Sequence, residues 1–302
     1  MRLLVIGDVV TDILALHSGP PKAGTDTAAD IVIRPGGSAG NTAAWAAALG
    51  ADVALLARVG ADTCDWHRAQ LAAVGVWPVL RVDPARPTAI IIVMVDGTGE
   101  RTFLTNRGAA GHLGPADWDD ALLDGVGMLH ISGYTLFSEE GRELVMIAMA
   151  AAHRAGVAIS LDPASTGFLT DFGVARFLAA TAQAGVIIPN ADEALLLTGA
   201  DDPEAAAIRL SEQYDLAVIK LGAEGALAAR GGRTLVRLPA EPVSAIDSTG
   251  AGDAFAAGFL TAGLAGADVT TAVAAACRAG ARAVSRIGGR PSSPYGPEAK
   301  IS

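Results

Sequence analysis

Residues 246–260, IDSTGAGDAFAAGFL, set small residues and one carboxylate at a spacing that can do chemistry. The run Ser248-Thr249-Gly250-Ala251-Gly252 lets neighbouring backbone N–H groups point into one space, and the apolar positions Ala254, Phe255, Ala257, Phe259 and Leu260 then start a helix. The N–H groups of Gly250, Ala251 and Gly252 therefore fall at a helix N-terminus, where unpaired donors and the helix dipole favour an anion. Asp253 sits in the first turn, and the dipole is expected to hold it ionised at neutral pH. An anion cradle beside an ionised carboxylate suits transfer of a phosphoryl group to a hydroxyl. The same string also serves as a glycine turn with an acidic helix cap, and the loop alone does not choose between the two.

Further polar residues stand at the ends of apolar runs. Residues 3–6 read as a buried strand closed by Gly7-Asp8, with Asp12 soon after. A carboxylate there can accept hydrogen bonds from two neighbouring hydroxyls, or can simply be solvated. Gly36-Gly37-Ser38-Ala39-Gly40-Asn41 precedes an alanine-rich helix predicted over 42–49. Its glycines allow a ligand close to the backbone, and Asn41 can both donate and accept. Asn190 and Glu193 lie one turn apart at the start of another helix and share a face, as a ligand pair or as a plain cap. Lys220 ends a strand that runs into Gly222-Ala223-Glu224-Gly225, where it reaches a phosphate or solvent. Arg107 follows a β-rich segment and either touches substrate or faces water.

Taken together these strings resemble the PfkB (ribokinase-like) carbohydrate kinases. The string D-S-T-G-A-G-D with A-F-A-A-G-F resembles the family's C-terminal signature, and G-G-S-A-G-N its GGxxxN signature. N-A-D-E over 190–193 resembles its N-x-x-E motif, and K-L-G-A-E-G-A its nucleotide loop. The resemblance covers essentially the whole chain, with the motifs in family order. It implies Asp253 as the catalytic base and Gly250, Ala251 and Gly252 as the anion hole. It implies Asp12, Gly36, Gly37, Asn41 and Arg107 on the substrate, and Asn190, Lys220, Gly222 and Gly225 on the nucleotide. ATP and Mg²⁺ follow as cofactors, with Glu193 acting on Mg²⁺ through water. Relatives that use K⁺ imply Asp247, Thr249, Ala283, Arg286, Gly288 and Ser292 as its ligands.

The acceptor is less sharply implied. Asp162-Pro163-Ala164-Ser165 lacks the D-P-N-x-R of many fructokinases and 2-keto-3-deoxygluconate kinases, and Ser38 stands where ribokinases often carry Lys. Only Arg34, Arg101 and Arg107 are cations near the lid that the resemblance implies, and Phe103 is its one aromatic. A ribose-like sugar is the leading acceptor and a nucleoside the second. A nucleotide-binding sensor without chemistry is a third reading. A dehydrogenase would want G-x-G-x-x-G after the first strand, which Gly7-Asp8-Val9 does not supply.

The elements that must position these residues are strands alternating with helices along nearly all 302 residues. That alternation predicts a doubly wound, mostly parallel sheet with helices on both faces. We expect a single α/β domain over 1–302, with a small β-sheet lid from segments about 13–35 and 86–107. Asp96-Gly97-Thr98-Gly99 is a hairpin signal inside the second segment. A helix over 269–285 is expected to close over the adenine. A net charge of −10 argues against nucleic-acid or anionic-membrane partners, and no apolar run is long enough to span a bilayer. Two distant cysteines make neither a disulfide framework nor a metal pattern. The strand-first start and lack of a leader-like segment point to a cytoplasmic enzyme. An exposed lid edge could pair with a second copy, giving a homodimer.

Overall fold

The computed structural model describes residues 1–17, 19, 21–96 and 101–291. The first strand, β1 (Arg2–Ile6), alternates its side chains between two cores. Leu4 and Ile6 pack on one face with Leu129, Ile131 and Leu161. Leu3 and Val5 pack on the other with Val53, Leu55 and Phe259. Burial on both faces is why the run is apolar at every position rather than at alternate ones.

The chain then leaves this sheet for β2 (Val10–Leu16) and β3 (Asp30–Gly36). It returns through α1 (Ser38–Ala48), β4 (Val53–Gly60), α2 (Cys64–Ala73) and β5 (Val76–Asp83). A second excursion makes β6 (Ala89–Val95) and β7 (Arg101–Asn106). The central sheet resumes with β8 (Val126–Ser132), α3 (Glu139–Arg154), β9 (Ala158–Asp162), α4 (Thr166–Phe172), α5 (Val174–Ala180) and β10 (Val186–Ile187). It continues through α6 (Ala191–Thr198), α7 (Pro203–Gln213) and β11 (Leu216–Lys220) to an antiparallel edge of β12 (Ala226–Arg230) and β13 (Arg233–Leu238). The helices α8 (Ala251–Leu264) and α9 (Val269–Val284) close the described chain.

Among the described residues, nine strands form one sheet in the order β13-β12-β11-β10-β9-β8-β1-β4-β5, parallel except at β12 and β13. The strand order reverses at β1, flanked by β8 and β4. Such a reversal opens a crevice at the carboxyl ends of the strands. The second sheet has the order β3-β2-β6-β7. Its registers pair Ile13 with Ile33 and Ile92, and Ile92 with Leu104. The predicted mostly parallel sheet and separate small sheet are both present.

Three local expectations change. The helix predicted from 42 begins at Ser38, so Ser38 and Asn41 occupy its first turn. Asp8 explains the early start: its carboxylate accepts the N–H groups of Ser38 (2.9 Å) and Ala39 (3.3 Å) and so acts as the helix's anionic cap. Asp12 lies inside a strand, β2, that the mixed run 10–16 did not reveal. The apolar face of α9, including Val273, Ala276 and Cys277, is spent on the core with α8, and no α9 residue lines the main cavity. The hairpin signal over 97–99 lies outside the described residues.

Candidate active site

A cavity of about 1310 Å³ lies at the carboxyl ends of the central strands, and the small sheet supplies part of its wall. At its centre is Asp253. Ser38 Oγ donates to Asp253 Oδ1 at 2.7 Å, and Asn41 Nδ2 donates to Oδ2 at 2.9 Å. The first turn of α1 thus holds the carboxylate that opens α8. Burial pushes the Asp253 carboxyl up to about 7, against these two hydrogen bonds and with the Asp162 charge adding to the rise. This corrects the expectation that the helix dipole keeps it fully ionised: desolvation outweighs the dipole. The result is an acid poised near neutral pH, which suits a group that must take up a proton.

The predicted anion cradle surrounds Asp253. Gly250 takes φ +72°, a left-handed conformation that glycine accepts without strain, and a Cβ there would overlap the backbone of Gly289. Gly250 and Gly252 line the cavity. The Ala251 N–H is turned inward, donating to the Ser248 carbonyl at 3.2 Å. Beside Gly252 stands Lys220, which is ion-paired to Asp162 rather than solvated. Burial works against the Lys220 ammonium, but Asp162 and Glu193 outweigh it and hold it charged.

Asp12, Gly37, Asn41 and Arg107 all line the same cavity. Asp12 is pushed up to about 6 by burial, with a nearby Arg290 guanidinium opposing the rise. Gly36 earns its place by packing, since a Cβ there would overlap the Asp12 carboxylate. Arg107 donates to the Tyr134 carbonyl at 2.9 Å and lies over the Phe168 ring at 5.9 Å. Tyr134, Phe137 and Phe168 form an aromatic cluster, with Phe137 and Phe168 stacked at 4.8 Å and Tyr134 and Phe168 in the cavity wall.

Asn190 and Glu193 line the cavity and also form a reciprocal capping box. Glu193 Oε2 accepts the Asn190 N–H, Asn190 Oδ1 accepts the Glu193 N–H, and Asn190 Nδ2 donates to Glu193 Oε1, each at 2.8 Å. The cap read from the sequence is present, and the same two residues stand in the cavity wall. Each Glu193 oxygen already accepts one hydrogen bond and keeps a free lone pair toward the cavity, which is compatible with a contact to hydrated Mg²⁺. Gly222 lines the cavity, open on the side where a Cβ would be. Gly225 does not line it: its φ of +98° and contact with the Leu238 carbonyl make it a packing glycine.

The described K⁺ positions fall in two segments, 247–249 and 283–288, joined by a bond from the Gly288 N–H to Asp247. Asp247 Oδ1 accepts the N–H and O–H of Thr249 at 2.9 and 2.7 Å, and Oδ2 accepts the Gly288 N–H at 2.8 Å. The Ala283 carbonyl accepts the Arg286 N–H at 3.1 Å. Ser292 lies outside the described residues, as does the side chain of Arg101.

Sequence reasoning did not assign roles to Asp8, Asp162, Tyr134, Phe168 or Arg290. Asp8 and Asp162 carried a signal, each ending an apolar run. Tyr134 carried the same signal, two residues past the apolar run of β8, whereas Phe168 and Arg290 meet the site only through the fold.

The pfkB family of carbohydrate kinases matches residues 1–295. The chain belongs to that family. It is a phosphotransferase with an alcohol group as acceptor. A fructokinase of Klebsiella pneumoniae is 33% identical over 273 residues, covering 87% of this chain and 84% of its own. An adenosine kinase from Sinorhizobium meliloti has the same fold, with a TM-score of 0.87, 26% identity, and 97% and 96% of the two chains covered. The Escherichia coli protein called Ribokinase II, crystallised in complex with ATP and Mg²⁺, gives a TM-score of 0.85, 26% identity, and coverage of 95% and 94%. No helix among the described residues is long and apolar enough to cross a membrane.

Proposed function

We propose that this kinase moves the γ-phosphoryl group of ATP to a primary hydroxyl of a ribose-like sugar, with Asp253 as base. The carrying observation is the position of Asp253: a half-buried carboxylate at the N-terminus of α8, raised to about 7, held by Ser38 and Asn41 where the cavity reaches the glycine loop. The acceptor hydroxyl gives its proton to Asp253 as its oxygen attacks the γ-phosphorus. The bond from γ-phosphorus to the bridging oxygen breaks, and ADP leaves with that electron pair. The N–H groups of Gly250 and Gly252 face the transferred charge, with Ala251 joining them once its N–H turns from Ser248. Asp12, Gly37 and Asn41 seat the acceptor, Gly36 leaves room for Asp12, and Arg107 stands at the far wall.

Asn190, Lys220 and Gly222 lie toward the nucleotide, and Gly225 shapes its loop. Glu193 would hold Mg²⁺ through water, and the ion neutralises phosphate charge when bound with ATP. The two joined segments of Asp247, Thr249, Ala283, Arg286 and Gly288 support a K⁺ site that would stiffen the cradle. We read the chain as one catalytic unit whose small sheet, about residues 13–35 and 86–107, serves as a lid that excludes water. The two free, buried cysteines and the use of ATP support a cytoplasmic enzyme. Its exposed sheet supports a homodimer, argued below.

A nucleoside acceptor is the second reading, favoured by Tyr134 and Phe168 in the cavity wall, where a base can stack. A coupled ADP-release assay with Mg-ATP, in K⁺ and then in Na⁺, against ribose, fructose, other sugars and nucleosides decides between them. We expect turnover on a sugar, faster in K⁺. Turnover confined to nucleosides replaces the first acceptor by the second, and equal rates in Na⁺ remove the K⁺ site.

A further inference from the structure

The loop that follows α9 sends one long side chain back across the molecule. Arg290 Nη2 donates to the Gly36 carbonyl at 2.8 Å, and Nε donates to Asn41 Oδ1 at 3.3 Å. The loop is stapled nearby, where Trp45 Nε1 donates to the Gly289 carbonyl at 2.9 Å inside the core. Gly40 makes the passage: a Cβ there would overlap Arg290 Nη2, while its next neighbour, Val9 Cγ2, stands at 3.6 Å. Arg290 Nη1 is buried and has no partner among the described residues. Asp12, Asp8 and Asp253 face the guanidinium with opposite charge.

We propose that Arg290 is a positioning residue for the acceptor, fixing the Asn41 carboxamide toward Asp253 and setting a positive charge beside Asp12. This rests on the kinase reading above. The argument is one of donor and acceptor counting. A guanidinium can only donate, so its bond to Asn41 Oδ1 leaves Asn41 Nδ2 as the end that faces Asp253. Asp253 alone does not enforce that orientation, because a carboxyl raised to about 7 is in part protonated near neutral pH, and it can then either accept from the amide NH2 or donate its O–H to the amide oxygen. Arg290 removes the alternative. Its charge meanwhile opposes the burial that would protonate Asp12, keeping that carboxylate able to accept hydroxyl groups. Asn41 lies in α1 and Asp12 in β2, and one side chain from the far end of the described chain bears on both.

The test compares Arg290→Met, Arg290→Lys, Gly40→Ala and the Gly40→Ala/Arg290→Met pair in the full chain. In the unliganded protein, the Asn41 side-chain amide signals are followed by ¹⁵N–¹H NMR, assigned with Asn41→Asp. We expect the parent to give one well-separated, exchange-protected pair. Arg290→Met and Gly40→Ala should both lose that protection, and Arg290→Lys should keep part of it. With D-ribose and D-fructose as probes, kcat/KM for the sugar should fall about 10- to 100-fold in Arg290→Met, while ATP affinity by calorimetry stays within about twofold. The Gly40→Ala change should cost little once Arg290 is already Met, because the overlapping side chain is gone. Unchanged Asn41 signals in Arg290→Met overturn the proposal, as does an equal loss of ATP affinity, which marks a purely structural residue. If the parent turns over neither sugar, that bears on the acceptor, and the NMR result still decides the role of Arg290.

Discussion

At the scale of single residues, the site is built from half-buried acids on the cavity wall. Burying Asp253 raises its carboxyl to about 7, and burying Asp12 raises it to about 6. A base must be deprotonated before it can act, so kcat/KM for the acceptor should climb with pH through about 7 and flatten above it. A profile that is flat from pH 5.5 to 8 would assign the base elsewhere. Asp253→Asn should lower kcat by about 100- to 10,000-fold while leaving ATP affinity intact. The same variant carries a stability signature whose sign is fixed by linkage. A carboxyl whose folded pKa lies above its unfolded value, 3.8, binds its proton more tightly in the fold. Its contribution to stability is complete below about pH 4 and is lost as pH rises through about 7. Asparagine never ionises, so Asp253→Asn should raise the folding stability, by on the order of 1–3 kcal/mol at pH 8 and by less at pH 5, and raise the melting temperature with it. Equal melting shifts at both pH values would mean the carboxyl is not raised by burial.

At the scale of elements, the cradle depends on how closely α8 and α9 approach. Gly258 in α8 faces α9 so tightly that a Cβ would sit 2.8 Å from the Ala275 carbonyl and from Ala279 Cβ. The carbonyl of Val284, the last residue of α9, in turn accepts the N–H groups of Ile246 and Asp247, which lead into the cradle. Gly258→Ala should therefore cost about 1–3 kcal/mol by overpacking and lower kcat as well, although it touches no substrate. Thermal melts and the ADP-release assay on one sample check both effects. The elements themselves were largely legible in the sequence. The apolar runs of β1, β4, β8 and β11 are buried on two faces and so stand out without alternation. The glycine turn into α8 and the Asn190–Glu193 cap were legible because each is local: loop, cap and first turn sit within a few residues. What stayed hidden was set by tertiary contact. Burial of Asp253 comes from α1, over 200 residues away, and its carboxyl could not be placed near 7 from its own helix. The strand β2 hid because it mixes Asp12 with apolar residues in a sheet wetted on both faces. The ion pair of Lys220 could not be read because its partner, Asp162, ends a strand two places away in the sheet.

At the scale of the whole molecule, the small sheet is half accounted for. Asp12, Leu14, Ile91, Val93 and Phe103 turn to the cavity. The opposite face carries a row across all four strands, Ile33, Ile13, Ile92 and Leu104, joined by register. Ile33 is 60% exposed and Leu104 54%, with Ile31 beside them at 64%. Such side chains on a sheet with two open edges, β3 and β7, are a surface that soluble chains cover. A second copy is the cover that matches: the row is apolar, so it offers no repulsion to itself, whereas the chain's net charge of −10 opposes random self-contact. A two-fold pair through this face would also tie the two cavities together, because the sheet that forms the interface forms the cavity wall. We therefore expect a dimer by light scattering at micromolar concentration. Ile33→Glu, at an exposed position far from Asp253, should yield a monomer without unfolding it. If the sheet's placement depends on its partner, the KM for the acceptor should rise on dilution below the dimer's dissociation constant and in Ile33→Glu alike, with ATP affinity less affected. A parent chain that is monomeric at every concentration, or a monomeric Ile33→Glu with unchanged KM, would separate the sheet's role over the cavity from any role in assembly.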